Sequence, residues 1–218
     1  MQTISKSSSD LCTAGILLAL IGCAPAAHAF TVNIAAATPK AIYLQVGVGT
    51  FTGGNYNSGG TPGTNATINT VSVTVPAAAV GTGAAQAMTT NAASGTSFYD
   101  GYAFCNLPSQ LYIGGFYRQT GANTGSATAT VTASSAANLT NASGNTIPFT
   151  QISWTSSGNG DTGTQPFPAG TFVGGTQTIG TISRNQWAES CHTFSYANTN
   201  FVAAGTYTGR VTYTLSAP

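Results

Sequence analysis

Few residues of this chain could carry out chemistry, and they are widely spaced. Beyond residue 29 the only histidine is His192, and the only acids are Asp100, Asp161 and Glu189. A zinc site needs three or four His, Cys or carboxylate ligands, and a catalytic site also keeps an open position. His192 stands next to Cys191 but lacks such a set around it. We therefore predict no metal site and no cofactor.

Hydrolytic chemistry needs groups that the sequence does not bring together. His192 could act as the base of a Ser-His-acid triad, but the chain has no Gly-x-Ser-x-Gly elbow. The three acids could form the carboxylate pair of a glycosidase only if two of them converge in the fold. Because His192 lies in a predicted strand, a solvent-facing or hydrogen-bonded structural role is the simpler interpretation. We predict that the protein is not an enzyme.

The whole chain carries very little charge. Charged residues make up 4% of it and the formal net charge is +1, whereas ordinary globular proteins have about 25% charged residues. No basic patch is present to neutralise phosphates, which argues against nucleic-acid binding. A nearly neutral surface of Thr, Ser, Asn, Gly and Ala offers little repulsion between copies and favours self-association.

The first 29 residues resemble a secretion signal. Lys6 lies in a polar start, an apolar stretch covers residues 11–23, and Ala27-His28-Ala29 suits a signal peptidase, which would leave Phe30 first. An alternative is a lipoprotein signal, with Cys23 as the modified residue. No later segment reaches the roughly 20 apolar residues that a transmembrane helix needs. We predict an exported protein with no transmembrane segment.

Two cysteines, Cys105 and Cys191, remain after such a cleavage. An oxidising exported compartment lets them pair, so we predict a disulfide between them. Two buried free thiols are the alternative.

Elements that would position these residues are strands. Residues 205–218 alternate strictly between two faces, as the side chains of a strand do. The apolar face has Tyr207, Gly209, Val211, Tyr213 and Leu215, and the other face is mainly threonine. Residues 30–36 alternate in the same way, with Phe30, Val32, Ile34 and Ala36 on one face.

Other alternating segments predict an all-β fold. They are residues 42–48, 66–75, 98–104, 111–117, 127–133, 147–154, 177–183 and 191–196, separated by Gly- and Thr-rich loops such as 49–65 and 156–175. No convincing amphipathic helix and no fixed-length repeat interrupts them. A β-sandwich is the natural architecture for about ten short strands.

Three segments carry a resemblance to a known family. The sequences FTVNIAAATPKAIYLQVGV (30–48), IPFTQISW (147–154) and AGTYTGRVTYTLS (204–216) resemble subunits of bacterial chaperone-usher pili, most nearly the alternate or alpha-fimbrial pilins. These segments cover about a quarter of the mature chain. The position of the cysteines, Ala217 as the penultimate residue and the long Gly/Thr loops depart from the family pattern.

The resemblance implies an immunoglobulin-like sandwich that lacks its last strand. It divides the chain into a signal peptide (1–29), a donor-strand extension (30–38) and a pilin-like domain (39–218). A periplasmic chaperone would lend a strand beside the acceptor positions Tyr207, Gly209, Val211, Tyr213 and Leu215 and hold Pro218. The donor residues Phe30, Val32, Ile34 and Ala36 of another subunit would then replace it, after export through an outer-membrane usher to the cell surface.

A different function remains open at this point. The chain could be a self-complete secreted β-sandwich, with both ends paired internally, that binds carbohydrate or another surface ligand. Aromatic residues such as Tyr56 could stack on sugars, whereas Trp154, between polar neighbours on a predicted strand, is better interpreted as a core residue.

Overall fold

The computed structural model describes residues 30–121, 128–159 and 163–218. The predicted signal peptide, with Cys23, and also Asp161 lie outside these described residues. Within them the chain is all-β, as the alternation predicts, and its helical turns are two 3₁₀ turns at Ala77–Ala79 and Phe149–Gln151. The strands are β1 Thr31–Asn33, β2 Ala41–Val46, β3 Phe51–Thr52, β4 Thr61–Pro62, β5 Val71–Ser72, β6 Gln86–Ala87, β7 Thr89–Thr90, β8 Leu111–Arg118, β9 Thr128–Ser135, β10 Asn138–Thr140, β11 Thr146–Pro148, β12 Ile152–Ser157, β13 Gly170–Thr171, β14 Thr176–Ser183, β15 Gln186–Tyr196 and β16 Val211–Ser216.

The largest sheet, which we call the main sheet, has the order β13-β12-β15-β8-β2. Its longest strand, β15, also pairs with the short strands β1 and β6. A second sheet has the order β14-β9-β16, and all of these pairs are antiparallel. The second sheet covers one face of the main sheet, so the fold is built as a β-sandwich.

The main core lies between the two sheets. Every second side chain of the long strands points into it because strand side chains alternate. Its most deeply buried members include Ile113, Tyr117, Val131, Ile182 and Phe194. Trp154 belongs to this core with 5% of its surface exposed, which confirms its predicted burial.

The opposite face of the main sheet, here called the outer face, is covered by loops. Residues 49–62 and 94–106 lie across it and are joined by hydrogen bonds from the Tyr56 and Asn57 amides to the Phe98 and Tyr99 carbonyls. The predicted disulfide is present: Cys105 in the second loop is bonded to Cys191 of β15.

Several predicted strand boundaries were wrong. Residues 98–104 form turns with a single bridge between Thr96 and Ala103. Gly101 has a φ of +82°, which interrupts an extended backbone, and the Asp100 side chain accepts a hydrogen bond from the Tyr102 amide at 2.9 Å.

The other errors are of length. Only Val71–Ser72 of the predicted strand 66–75 pairs as a strand, and the terminal strand is confined to Val211–Ser216. The predicted strand 147–154 is split by the 3₁₀ turn Phe149–Gln151, which follows Pro148. Proline has no amide donor and therefore ends the pairing there.

Candidate functional site

The terminal strand β16 lies at the edge of the second sheet. It pairs with β9 on one side, so that Tyr213 is opposite Ala133 and Leu215 is opposite Val131. Among the described residues, no strand pairs with its other edge. The inward side chains Val211, Tyr213 and Leu215 pack on the core but stay partly exposed.

Strand β9 shows the effect of a second neighbour. It alternates Thr with small apolar residues much as β16 does, but β14 and β16 flank it on both sides. Its inward residues Ala129, Val131 and Ala133 are 0%, 0% and 1% exposed. The partial exposure of Val211, Tyr213 and Leu215 thus accompanies the unpaired edge of β16.

The main sheet has a matching edge at β2. This strand pairs with β8, and no other pairing of it is found in the described part of the chain. Ile42 is 44% exposed, and Leu44 and Val46 are partly buried against the core. Because Cα atoms of β2 and β16 come within 8 Å, the two unpaired edges face the same side of the sandwich. We call this surface the edge groove and define it by Leu44, Val46, Tyr213, Leu215 and Ala217, which are partly buried and pack against the core.

One end of the edge groove is tied together by Lys40. Its Nζ donates hydrogen bonds to the carbonyl oxygens of Ala217 at 3.1 Å and Pro218 at 2.6 Å. Lys40 immediately precedes β2, so this contact joins the start of one edge strand to the end of the other.

Two further predicted acceptor residues lie before β16. Tyr207 is partly buried, and its hydroxyl donates to the Ala203 carbonyl at 2.8 Å. Gly209 lies so close to the Phe149 ring that an added Cβ would come within 2.5 Å of it. The acceptor positions thus follow one side of the second sheet, but only Val211, Tyr213 and Leu215 belong to the regular strand.

The predicted donor residues lie elsewhere. We call residues 30–38 the N-terminal extension; its strand β1 pairs with β15 of the same chain, Val32 opposite Trp187. The pairing continues on both sides, because the Glu189 amide donates to the Phe30 carbonyl at 3.1 Å and the Ile34 amide donates to the Asn185 carbonyl at 2.9 Å. The extension and β16 are therefore not brought together in one chain.

The apolar side chains of the extension pack on the same chain. Phe30, Val32 and Ile34 are partly buried, and Phe30 makes edge-on ring contacts with Phe104 at 5.5 Å and Tyr99 at 5.9 Å. Ala36, the fourth predicted donor residue, is exposed.

Arg118, at the end of β8, holds the second half of the extension. Its Nε donates to the Ala35 carbonyl at 2.6 Å and its Nη2 to the Ala36 carbonyl at 3.3 Å. The guanidinium also lies over the Tyr56 ring, 5.7 Å from the centroid, where a cation is attracted by the ring face.

Aromatic side chains form a continuous layer on the outer face, which we call the outer aromatic layer. Rings from the strands contact rings from the covering loops at centroid distances of 5.3 to 6.3 Å; the members are Phe30, Tyr43, Phe51, Tyr56, Phe98, Tyr99, Phe104, Tyr112, Phe116 and Trp187. An open cleft of about 410 Å³ lies between the two loops, with Thr50, Asn55 and Ser97 among its lining residues.

Glu189 is buried beneath this layer. Its Oε2 accepts hydrogen bonds from the Tyr112 hydroxyl at 2.5 Å and from the Trp187 indole nitrogen at 2.8 Å. Burial raises the pKa of Glu189 to about 7, although hydrogen bonds from Tyr112, Trp187 and Ser97 favour its charged form. With no surface exposed, the carboxyl group has no access to a substrate.

His192 lies on the opposite side of the same strand, in the main core. Its Nε2 makes a hydrogen bond with the Phe167 carbonyl at 3.0 Å, and its ring stacks on Trp154. Burial lowers the pKa of His192 to about 4, and the hydrogen bond only partly opposes this. The hydrogen-bonded alternative for this side chain is therefore the one observed, not the solvent-facing one.

Neither a metal cluster nor a membrane-spanning helix is found in residues 30–121, 128–159 and 163–218. No group of three His, Cys, Asp or Glu side chains within them could hold a metal ion. None of their helical turns has the length and apolar character needed to cross a bilayer.

Two residues with notable roles were not singled out by the sequence patterns: Lys40 and Arg118 each contact a distant backbone segment. Glu189 was considered only as a possible catalytic acid, and its burial among aromatic rings was not predicted. The rarity of charged residues was the available signal, because in a chain with so few of them each one is a candidate for a specific contact.

Comparison of the chain with protein-family models, curated proteins and solved structures found no match.

Proposed function

We propose that this protein is a structural subunit of a bacterial surface pilus, in which the edge groove of one subunit receives the N-terminal extension of another. The observation that carries the proposal is the half-covered apolar row of β16 at an unpaired edge, beside the unpaired edge of β2. β-strand addition to such an edge supplies main-chain hydrogen bonds, and alternate side chains enter the groove.

The strand order supports an incomplete immunoglobulin-like sandwich. In that fold one sheet has the order A-B-E-D and the other contains C, F and G, with F between C and G. Strands β2, β8, β15 and β12 follow the first order, and β9 next to β16 corresponds to C next to F, whereas β14, on the other side of β9, has no counterpart in that seven-strand order. The strand G that would follow F belongs at the free edge of β16.

The N-terminal extension has the chemistry to fill that position. Phe30, Val32 and Ile34 recur at every second residue, which matches the spacing of side chains along β16. Relative to an exposed side chain, full burial of each of them is worth roughly 1.5 to 3 kcal/mol. Since paired strands lie about 4.8 Å apart and the groove edges come within 8 Å at their Cα atoms, the incoming strand would pair with β16 and move β2 outward.

Partners and localisation follow from the same proposal. A periplasmic chaperone would cover the edge groove before assembly, an outer-membrane usher would release the subunits to the cell surface, and neighbouring subunits would be identical or related chains. The low charge of the surface supports close packing of copies, because little repulsion opposes it.

A matched pair of substitutions tests the proposal. Leu215→Asp places a charge in the edge groove, whereas Thr214→Asp places the same charge on the exposed face of the same strand. In exported full-length protein we expect Leu215→Asp to abolish detergent-resistant, heat-labile oligomers on gels and to weaken binding of an FTVNIAAA peptide at least tenfold. Thr214→Asp should leave both unchanged.

Two results would contradict the proposal. One is normal oligomerisation of Leu215→Asp with its fold intact by circular dichroism. The other is a wild-type protein that stays monomeric and ignores the peptide; sugar binding by such a monomer, lost on substituting Asn55 in the outer cleft, would favour the ligand-binding sandwich instead.

A further inference from the structure

We infer that the N-terminal extension has a resting site on its own chain, along the edge of β15, and that leaving this site controls the rate of filament assembly. The inference rests on the proposed function, since it concerns the segment that would be donated. It adds a second strand-binding surface, distinct from the edge groove, and an autoinhibitory contact.

The backbone contacts show that the resting site is a regular strand position. Phe30, Val32 and Ile34 lie opposite Glu189, Trp187 and Asn185 in one antiparallel register. The other side of this part of β15 is paired with β8, so β1 completes the sheet there. Without the extension, this end of β15 would present unpaired amide and carbonyl groups.

Side-chain burial indicates that resting and donation exclude each other. The face with Phe30, Val32 and Ile34 is the face that would enter a neighbour's edge groove; all three are already partly buried, and Phe30 packs against the cluster of Phe104 and Tyr112 in the outer aromatic layer. Phe30 contacts Phe104, which belongs to the same loop as Cys105. Donation must therefore uncover this aromatic surface before the new burial is gained.

Polar contacts at the base of the extension add to its retention. Arg118 donates to the Ala35 and Ala36 carbonyls, and the Gln186 side chain donates to Asn33 Oδ1 at 3.1 Å. Further along, the Thr120 amide donates to the Ala37 carbonyl at 3.0 Å. Arg118 and Gln186 do not belong to the edge groove, so they can be changed without altering the acceptor surface.

A reversible cross-link tests whether release is required. Asn33 and Gln186 face each other as a non-hydrogen-bonded pair, the arrangement that brings opposite Cα atoms to about 4.5 Å, within the range a disulfide spans. In the double variant Asn33→Cys/Gln186→Cys we expect oligomerisation to stop, binding of the FTVNIAAA peptide to the groove to persist, and mild reduction to restore assembly. The single variant Asn33→Cys is the control, and the native disulfide is protected by the full burial of Cys191.

Hydrogen exchange on the monomer tests the resting site without reference to assembly. The Ile34 amide should be protected in the wild type, and Arg118→Ala should raise both its exchange rate and the oligomerisation rate by about tenfold, because it removes the two exposed hydrogen bonds to the Ala35 and Ala36 carbonyls; a tenfold change corresponds to about 1.4 kcal/mol. An unprotected Ile34 amide, or oligomerisation of the cross-linked variant at the wild-type rate, would overturn the inference. If the peptide fails to bind wild-type protein while Ile34 is protected, the proposed function fails and the resting site stands.

Discussion

The outer face of the main sheet and the edge groove are both apolar, yet the chain treats them in opposite ways. Two loops, a disulfide and the N-terminal extension cover the outer aromatic layer, so that Tyr112 and Trp187 are fully buried. No described loop covers the groove, where Tyr213 and Leu215 remain partly exposed. The chain does not lack loops that could cover the groove. Two long loops, residues 49–62 and 94–106, both lie on the outer face.

The difference indicates which surface is fully covered and hydrogen-bonded within one molecule. On the outer face aromatic rings contact one another closely and the buried polar atoms of Tyr112 and Trp187 are satisfied by Glu189. At the groove an unpaired strand edge still offers main-chain donors and acceptors, which is the usual template for adding another strand. The outer face therefore contributes to the stability of the single chain, and the groove is the surface at which the proposed function places assembly.

Removing the disulfide should have the largest effect and should fall on the covered side. Cys105 and Cys191 are 86 residues apart, and in the chain-entropy treatment a loop of that length stabilises the folded state by about 4 to 5 kcal/mol. We expect Cys105→Ser/Cys191→Ser to lose most of this in urea unfolding and to expose residues 94–106 to protease.

The control for the disulfide variant is Leu107→Ser, at a residue that directly follows the loop 94–106 and is 38% exposed. Its unfolding free energy should change by less than about 1 kcal/mol, because surface substitutions usually have small effects. Equal loss of stability in both variants would mean that the loop's packing, and not its covalent tether, stabilises the outer face.

The two faces of β15 should also respond to pH in opposite directions. Glu189 has its pKa raised from 4.5 to about 7, so the folded state binds a proton that the unfolded state releases, and stability falls as pH rises from 4.5 to 7. His192 has its pKa lowered from 6.5 to about 4, so stability rises as pH goes from 4 to 6.5. Each contribution amounts to about 3 kcal/mol over its range.

These contributions largely cancel in the wild type between pH 4.5 and 6.5, and single variants should separate them. We expect the unfolding free energy of Glu189→Gln to rise with pH over 4 to 6.5, and that of His192→Gln to fall over 4.5 to 7. The double variant should again be nearly flat. The unfolding free energy would be measured by chemical denaturation at each pH. If it changed with pH in the same direction in both single variants, opposing titrations of Glu189 and His192 would not be the cause of the flat wild-type profile.

Loss of the Lys40 contact should have the smallest effect on stability and should act on the edge groove. Lys40→Met removes two exposed hydrogen bonds that join β2 to the end of β16, so we expect a loss of about 1 kcal/mol or less. Hydrogen exchange at Leu215 should accelerate and the FTVNIAAA peptide should bind faster, because the groove opens more readily. The control is Arg210→Met, since Arg210 is exposed and directly precedes β16. If Lys40→Met bound the peptide more slowly than this control, Lys40 would order the groove and not restrain it.

Features that depend on neighbouring residues were predictable from the sequence. The alternation in residues 111–117, 177–183 and 191–196 predicted strands that are observed, because side-chain direction in a strand is a local property. The prediction of a strand at residues 98–104 was wrong, because their aromatic content is typical of a strand while Asp100 and Gly101 favour a turn. The loop cysteine Cys105 was predicted to pair although nothing local showed how it reaches β15.

Local sequence patterns were enough to predict an all-β chain, the two-faced strands at residues 30–36 and 205–218, the pairing of Cys105 with Cys191, and a surface with almost no charge. Three features became visible only in the folded chain: β16 and β2 each have an edge that no described strand pairs with, the N-terminal extension lies along β15, and Glu189 and His192 occupy opposite faces of one strand. The reason is physical: alternation fixes which way a side chain points along its own strand, whereas edges, neighbours and burial depend on segments that are far apart in the chain and meet only when it folds.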